Sequence, residues 1–342
     1  MVQVIKSDAS VIEALKCINE ALNWTVFVIN EDGAVIGSLT DGDVRRYLIN
    51  GGQLSDEVIN AARKEFTYVK AKDVDLIKRL REVKKKGVKL VPSLDDSLRL
   101  VDVFDLMSFK SHLPIDAVIM AGGKGERLRP ITETIPKPLV EVGGKCIIDY
   151  NVDRLIDYGV KNINVTVNYL GDQIIRHYAE PRNGVKIETV KEPKYLGTMG
   201  SIRFVKEFMN DTILVMNSDL FTNIDFEDFY LHFKEHNAMM SVAAVPYSVK
   251  IPFGIFELDG RNIQGVTEKP VYNYYANAGI YLIKKEILSL IPQDKFFNAT
   301  DLIDAVVASG NRVIRYPLNG TWIDIGTHQE LAKARDLVKH LG

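Results

Sequence analysis

The chain is poor in cysteine and tryptophan, with two of each among 342 residues. Cys17 and Cys146 stand far apart, and neither falls in a metal-ligand spacing. That argues against a disulfide framework or a cysteine zinc site, and two reduced thiols in a cytoplasmic protein are expected. Positive charge is not in excess either: 43 Lys and Arg face 45 Asp and Glu, for a net charge of −2. No global field gathers a nucleic acid, so affinity for phosphate has to be built locally. No apolar run approaches the ~20 residues that span a bilayer. The N-terminal stretch MVQVIKSDAS lacks the basic-then-apolar pattern of a signal region, so no membrane partner is expected. What is present is the make-up of a globular protein, 46% hydrophobic and 26% charged. At ~150 residues per domain, the length points to two domains.

The first ~110 residues read as two tandem units of a kind too long for most solenoid repeats. Ser10 to Ala21 has helical apolar spacing at Val11, Ile12, Leu15 and Ile18. A buried strand, Thr25 to Ile29, then meets the turn Asn30-Glu31-Asp32-Gly33 and a returning strand, Val35 to Leu39. Thr40 is a candidate helix cap before Asp41 to Leu48. The order recurs as helix Asp75 to Lys85, strand Lys89 to Pro92, strand Leu98 to Val101 and a helix from Val103.

A polar break between Met107 and Pro114 sets the expected boundary, with domains at 1–112 and 113–342. Beyond it, strands are expected at Ala117 to Met120, Asn162 to Val167, Lys186 to Val190, Ile213 to Asn217 and Met240 to Val245. Helices are expected near Ile147 to Tyr158, Asp172 to Tyr178, Ser201 to Phe208 and Phe226 to His236, with a helical tail from Gln329 to Leu341. The alternation predicts an α/β domain, a Rossmann-like, mostly parallel mixed sheet flanked by helices. In such sheets, ligands bind beyond the carboxyl ends of the strands.

Directly after the first of these strands comes Ala121-Gly122-Gly123-Lys124-Gly125-Glu126-Arg127-Leu128-Arg129-Pro130. Its glycines let the backbone approach an anion and aim N–H groups at it. From Gly122 to Pro138 the cations Lys124, Arg127, Arg129 and Lys137 outnumber the acids Glu126 and Glu133. It is not a Walker A loop, because no Gly-Lys-Ser/Thr closes it. It is not a dinucleotide fingerprint, because Leu128 stands where the third glycine is needed. The stretch from Gly122 to Pro130, followed by Thr132 and Pro136-Lys137-Pro138, resembles the signature of the sugar-1-phosphate nucleotidylyltransferases. That resemblance implies a nucleoside triphosphate and a sugar 1-phosphate as substrates, and a nucleotide sugar and pyrophosphate as products. It places Ala121, Gly122, Gly123, Gly125 and Arg127 on the nucleotide and Lys137 at the reacting phosphates.

Joining two anions requires charge neutralisation and in-line positioning. A divalent ion held by carboxylates is the expected tool, and Mg2+ fits. Asp219, at the end of the apolar run Ile213 to Ser218, and Asp324, within Trp322-Ile323-Asp324-Ile325-Gly326, match the two metal-binding aspartates of the resembled family. Ser218 departs from the glycine common at its place. Glu268-Lys269-Pro270, Asn277-Ala278-Gly279 and Phe253-Gly254 resemble sugar-site segments, which implies sugar contacts from Gly254, Glu268, Lys269 and Asn277. His232 and His236 lie four apart on a helix without an acidic partner, and read as a solvated face.

Glu192-Pro193-Lys194-Tyr195-Leu196-Gly197-Thr198 resembles the family's base-binding loop, in which uridylyl and thymidylyl members commonly carry glutamine at the place of Glu192. A carboxylate only accepts hydrogen bonds, which suits the adjacent N1–H and N2–H donors of guanine and not adenine. GTP is therefore the expected donor. The alternative is that Glu192 pairs with Lys191 or Lys194 while the backbone reads the base.

Gly37-Ser38-Leu39-Thr40-Asp41-Gly42-Asp43-Val44-Arg45 resembles the second-strand-to-helix junction of CBS modules. The resemblance implies a small α+β CBS-pair domain, with Thr40 on a phosphate and Asp43 on the ribose of an adenine-nucleotide effector. In the second repeat Asp102 replaces the hydroxyl residue, which disfavours phosphate there, though Asp105 is left to meet a ribose. The module is either a one-site nucleotide sensor or a structural unit through which a homo-oligomer assembles.

Overall fold

A single small sheet motif occurs twice in the N-terminal third of the chain. In the first copy, β1 (Gln3–Lys6) runs parallel to β2 (Thr25–Ile29), with α1 (Val11–Glu20) crossing between them, and β2 pairs antiparallel with β3 (Val35–Thr40) before α2 (Asp41–Ile49). In the second, β4 (Val69–Lys70), α3 (Leu76–Lys85), β5 (Leu90–Leu94) and β6 (Leu100–Asp105) repeat the same pairing. The structure, a computed structural model, describes residues 3–340. It divides into two units, Met1–His112 and Leu113–Gly342.

Local chemistry sets these elements. Ser10 and Glu13 form a reciprocal capping box that starts α1, and Val11, Ala14 and Ile18 form its buried stripe. Thr40 and Asp43 form the corresponding box on α2. The expected helix from Val103 is not there. Val103 and Phe104 lie in β6, paired with Pro92 and Val91, because Val101, Val103 and Phe104 suit a strand. The Asp105 carboxylate then ends the strand by accepting from the backbone of Met107 (2.9 Å) and Ser108 (3.1 Å) and from the Ser108 hydroxyl (2.6 Å).

The C-terminal unit begins with β7 (Asp116–Ala121), followed by a small hairpin of β8 (Glu141–Val142) and β9 (Lys145–Cys146). Then come α4 (Ile147–Asp157), β10 (Asn162–Val167), α5 (Gly171–His177), β11 (Ile187–Lys191), β12 (Thr212–Asn217), β13 (Leu220–Thr222) and α6 (Phe226–Glu235). The rest is β14 (Met240–Lys250), β15 (Ile255–Asp259), β16 (Asn262–Thr267), β17 (Val271–Lys284), α7 (Ala299–Ala308), β18 (Val313–Pro317), β19 (Trp322–Asp324) and α8 (His328–Lys339). The main sheet is ordered β11-β10-β7-β12-β17-β14-β18. Only β17 runs against its neighbours, so the sheet is mixed and mostly parallel.

β7 sits inside this sheet, and Ala117, Val118 and Ile119 are fully buried. Continuous apolar strands of this kind belong to sheets covered on both faces. The expected helix at Ser201 to Phe208 is instead a short 3-10 turn, Gly200–Phe204. Gly200 is clamped against the Lys295 carbonyl, and β-branched Ile202 and Val205 follow, which leaves no run able to nucleate an α-helix. The tail helix is α8, capped by Thr327; the Leu341 expected at its end lies outside the described residues. Among the described residues, no helix is long and apolar enough to cross a membrane.

Candidate active site

The glycine loop leaves the carboxyl end of β7, where the topology predicts a ligand crevice. Gly125 sits at φ +63°, and a Cβ there would press on Thr132 and Lys137. The Thr132 hydroxyl donates to the Gly125 carbonyl at 2.8 Å and clips the loop shut. A cavity of about 590 Å³ opens beside it. Gly122, Gly123 and Gly125 line this cavity, together with Arg127, Lys137 and Asp219. Ala121 is buried beneath them.

β13 pairs antiparallel with β19, so Leu220 faces Asp324 across the ladder and Asp219 lies one residue away. The Ile325 N–H donates to the Asp219 carbonyl at 3.0 Å. Two aspartates more than a hundred residues apart in sequence thus meet. Lys137, itself buried, bonds the Asp219 carboxylate and stands 3.9 Å from Asp324 Oδ1. Burial, and then the charge of Asp219, raise Asp324 above the ordinary carboxylate range against the pull of Lys137 and Arg127. Asp219 Oδ1 and Asp324 Oδ1 are buried with no hydrogen-bond partner among the described residues. Orphaned oxygens on adjacent carboxylates are what a hard divalent cation fills, so the donor set fits Mg2+.

Buried Asn151 on α4 holds this corner in place. Its side-chain amide donates to the carbonyls of Leu220 (2.9 Å) and Ser218 (3.5 Å), on either side of Asp219. A Cβ on Gly326 would lie 2.6 Å from the Arg127 guanidinium, so the guanidinium rests on bare backbone.

Glu192 is buried behind Gly122 rather than on the cavity wall; a Cβ on Gly122 would fall 2.5 Å from its carboxylate. Burial pushes its carboxyl up to about 7, against a smaller opposing hydrogen bond from the Leu196 N–H. Lys191 pairs with Asp172 at 2.8 Å instead. Gly197 and Thr198 also stand off the cavity. Gly197, at φ +79°, packs on the Phe297 carbonyl, and the Thr198 hydroxyl accepts from Ala299 N at the start of α7.

The sugar-site residues are brought together only in part. Glu268 lies against Gly254 and within 4.0 Å of Lys269, whose backbone is left-handed at φ +45°. Asn277 accepts from Gly279 N at 2.9 Å. These residues do not line the glycine-loop cavity.

Lys124, Asn168, Tyr195 and Gly326 do line it. The sequence signal for Asn168 is its place just past the end of β10, and for Gly326 its place after the Asp324 segment.

Elsewhere, His232 and His236 are half-buried rather than solvated, their rings stacked at 4.2 Å and His232 against Tyr316. The fold also brings Cys146, Asp149 and His177 within 4.8 Å of one another, a grouping invisible in sequence spacing. Asp149 is already engaged there by His177, Tyr178 and Arg182. In the N-terminal unit the Asp43 carboxylate is bonded by Thr40, Arg46 and Arg63 at the edge of a separate cavity of about 620 Å³. Asp105 spends its oxygens on its own turn.

Comparison with known proteins agrees with this geometry. Bifunctional protein GlmU of Methanocaldococcus jannaschii is 33% identical over 230 residues, 64% of this chain and 53% of that protein. Mannose-1-phosphate guanylyltransferase catalytic subunit beta of Danio rerio is 31% identical over 219 residues, 61% of each chain. The chain thus spans between half and two thirds of the length of these relatives. HddC from Yersinia pseudotuberculosis, solved complexed with GMP-PN, superposes with a TM-score of 0.52 at 26% identity, covering 66% of this chain and 99% of that one. The CBS domain model matches residues 2–50. The nucleotidyl transferase model matches residues 116–340, from β7 through α8, and the chain belongs to that family.

Proposed function

We propose that the protein transfers a nucleoside monophosphate from a nucleoside triphosphate, GTP by preference, to a sugar 1-phosphate, releasing pyrophosphate. The observation that carries this reading is the convergence of the glycine loop, Arg127, Lys137 and the Asp219–Asp324 pair around one cavity. A sugar-phosphate oxygen attacks the α-phosphorus, a new P–O bond forms, and the bond to the β-phosphate oxygen breaks. The attacking oxygen is already ionised at neutral pH, so no general base is required.

Arg127 and the loop N–H groups hold the β- and γ-phosphates, and Lys137 draws the α-phosphate toward the attacking oxygen. Asp219 and Asp324 would hold Mg2+, which neutralises charge on the phosphates when bound. Glu268 and Lys269 would receive the sugar hydroxyls and sugar phosphate, with Gly254 and Asn277 completing that subsite. The guanine preference is supported by Glu192, which lies against Gly122 and only accepts when ionised, and by the kind of relative the chain has: a mannose-1-phosphate guanylyltransferase and a protein solved with GMP-PN. The N-terminal module is read with it as an effector-binding or dimerising unit.

The test is pyrophosphate release with each of the four common triphosphates against a panel of hexose, hexosamine and heptose 1-phosphates in Mg2+. Release with no pair would end this reading. Release with UTP or dTTP but not GTP would end the guanine preference alone.

A further inference from the structure

Two large aromatic side chains stand at the surface next to the glycine-loop cavity. Tyr195 lines the cavity and is 50% exposed; Phe296 is 57% exposed. Their rings meet edge to face, with centroids 5.9 Å apart. Both positions are held from below. Leu196, fully buried, accepts from the Phe297 N–H at 2.9 Å, and the Phe297 carbonyl accepts from Met199 and Gly200. The backbone on which the two rings stand is therefore fixed.

The cavity is chemically two-ended. Lys137 bonds Asp219, Arg127 rests on Gly326, and Ile325 beside Gly326 bonds Asp219, so the charge gathers at one end, which suits a polyphosphate. Gly122, Asn168 and Tyr195 are left for whatever the phosphates carry, and Tyr195 is the one aromatic side chain among the described lining residues. An exposed ring braced by a second ring offers a flat apolar face at a site otherwise made of glycine, charge and amide.

We propose that Tyr195, braced by Phe296, is the platform on which the nucleobase stacks, and that this stacking favours a purine, with its larger face, over a pyrimidine. The proposal rests on the nucleotide reading of the cavity. Tyr195 contributes binding that is independent of the phosphates, and Phe296 acts as a positioning residue that sets the angle of the Tyr195 ring.

The experiment is calorimetric binding of GTP, UTP and inorganic tripolyphosphate in Mg2+ to the full chain and to Tyr195→Ser, Tyr195→Phe and Phe296→Ser, with melting temperatures alongside. Tyr195→Ser is expected to weaken GTP about tenfold and UTP less, with tripolyphosphate unchanged. Tyr195→Phe keeps GTP affinity within about twofold, because the stacking face is retained. Phe296→Ser falls between them. A folded Tyr195→Ser that binds GTP like the parent, or that loses GTP and tripolyphosphate equally, overturns the proposal. Pyrophosphate release by the parent chain is scored separately. Base-dependent binding without turnover leaves this proposal standing and removes the transferase reading. Turnover by the parent with Tyr195→Ser unaffected in GTP binding does the reverse.

Discussion

The ammonium of Lys137 is bonded to the carboxylate of Asp219 while Asp324, its other acidic neighbour, lies just beyond hydrogen-bond reach at 3.9 Å. One cation thus serves two carboxylates. At a separation near 4 Å and an effective dielectric of about 20, the longer of these contacts is of order 4 kcal/mol before solvent screening reduces it. On the proposed reading, a divalent ion entering between the aspartates would displace that ammonium and leave it free to meet a phosphate. Lys137→Met is expected to bind Mn2+ about tenfold more tightly in the absence of nucleotide, read by the electron paramagnetic resonance of the free ion. The same variant should lose at least about a hundredfold in transfer rate, because the reacting phosphate loses its cation. Mn2+ affinity that stays put or drops would show that the ion does not enter where Lys137 sits.

Asp324 is the less compensated acid of the pair, raised in pKa by burial and by Asp219. A carboxylate whose folded pKa is raised favours the folded state when protonated, and that advantage is lost as pH rises through the folded pKa. Asp324→Asn removes the charge and leaves the shape. In EDTA at neutral pH it should raise the melting temperature of the C-terminal unit by roughly one to a few degrees. If the pair holds Mg2+ as proposed, the gain should shrink in its presence, because the ion would stabilise the parent and not the variant. A variant that melts lower than the parent in EDTA contradicts the repulsion between the two acids.

Glu192 gives a pH dependence whose sign can be fixed in advance. Its carboxyl is pushed from 4.5 up to about 7 by burial. Below pH 4.5 both folded and unfolded chains hold the proton and the group is neutral to stability. Between 4.5 and 7 the folded chain alone retains it, so stability falls as pH rises, by up to about 3 kcal/mol above 7. Glu192→Gln should remove that decline. On the proposed guanine reading the direction reverses for catalysis, because the guanine N–H groups would require the ionised acceptor. In the parent, kcat/KM for GTP should climb with pH and level off above about 7, reporting the free enzyme. A Glu192→Gln profile with the same limb would assign the titration to another group.

The sequence shows the site's chemistry more clearly than its geometry. The glycine loop, Arg127 and Lys137 lie in one short stretch from Gly122 to Lys137, so their joint role is visible without a fold. Asp219 and Asp324 are visible as acids in apolar settings, yet the β13–β19 pairing that unites them joins short strands distant in sequence. Asn151 is hidden for the same reason, since a helical Asn gives no hint that it will grip the backbone around Asp219. The misread helices at Val103 and Ser201 fail where local context decides: a ladder partner in the first case, a clamped glycine in the second. Of the long β14–β17 ribbon the sequence shows only the start of β14, Met240 to Val245; Pro246 to Lys250 and the facing Val271 to Tyr275 are exposed and lack the buried run that marks a core strand.

Gly326 separates the roles of backbone and side chain at the phosphate end. A methyl group there would come within 2.6 Å of the Arg127 guanidinium, but the obstacle is the far end of a flexible side chain and not packed backbone. Gly326→Ala should therefore fold with a melting temperature close to the parent, while Arg127 is pushed off the position from which it faces the cavity. The expected signature is a KM for the triphosphate raised about tenfold, with a smaller fall in kcat, since a displaced arginine weakens phosphate binding before it disturbs the reacting atoms. Arg127→Ala should show at least as large a change. The double variant should add little to it, because both substitutions remove the same contact and their effects are not independent. Full additivity in that cycle would mean that Gly326 acts through something other than the arginine resting on it.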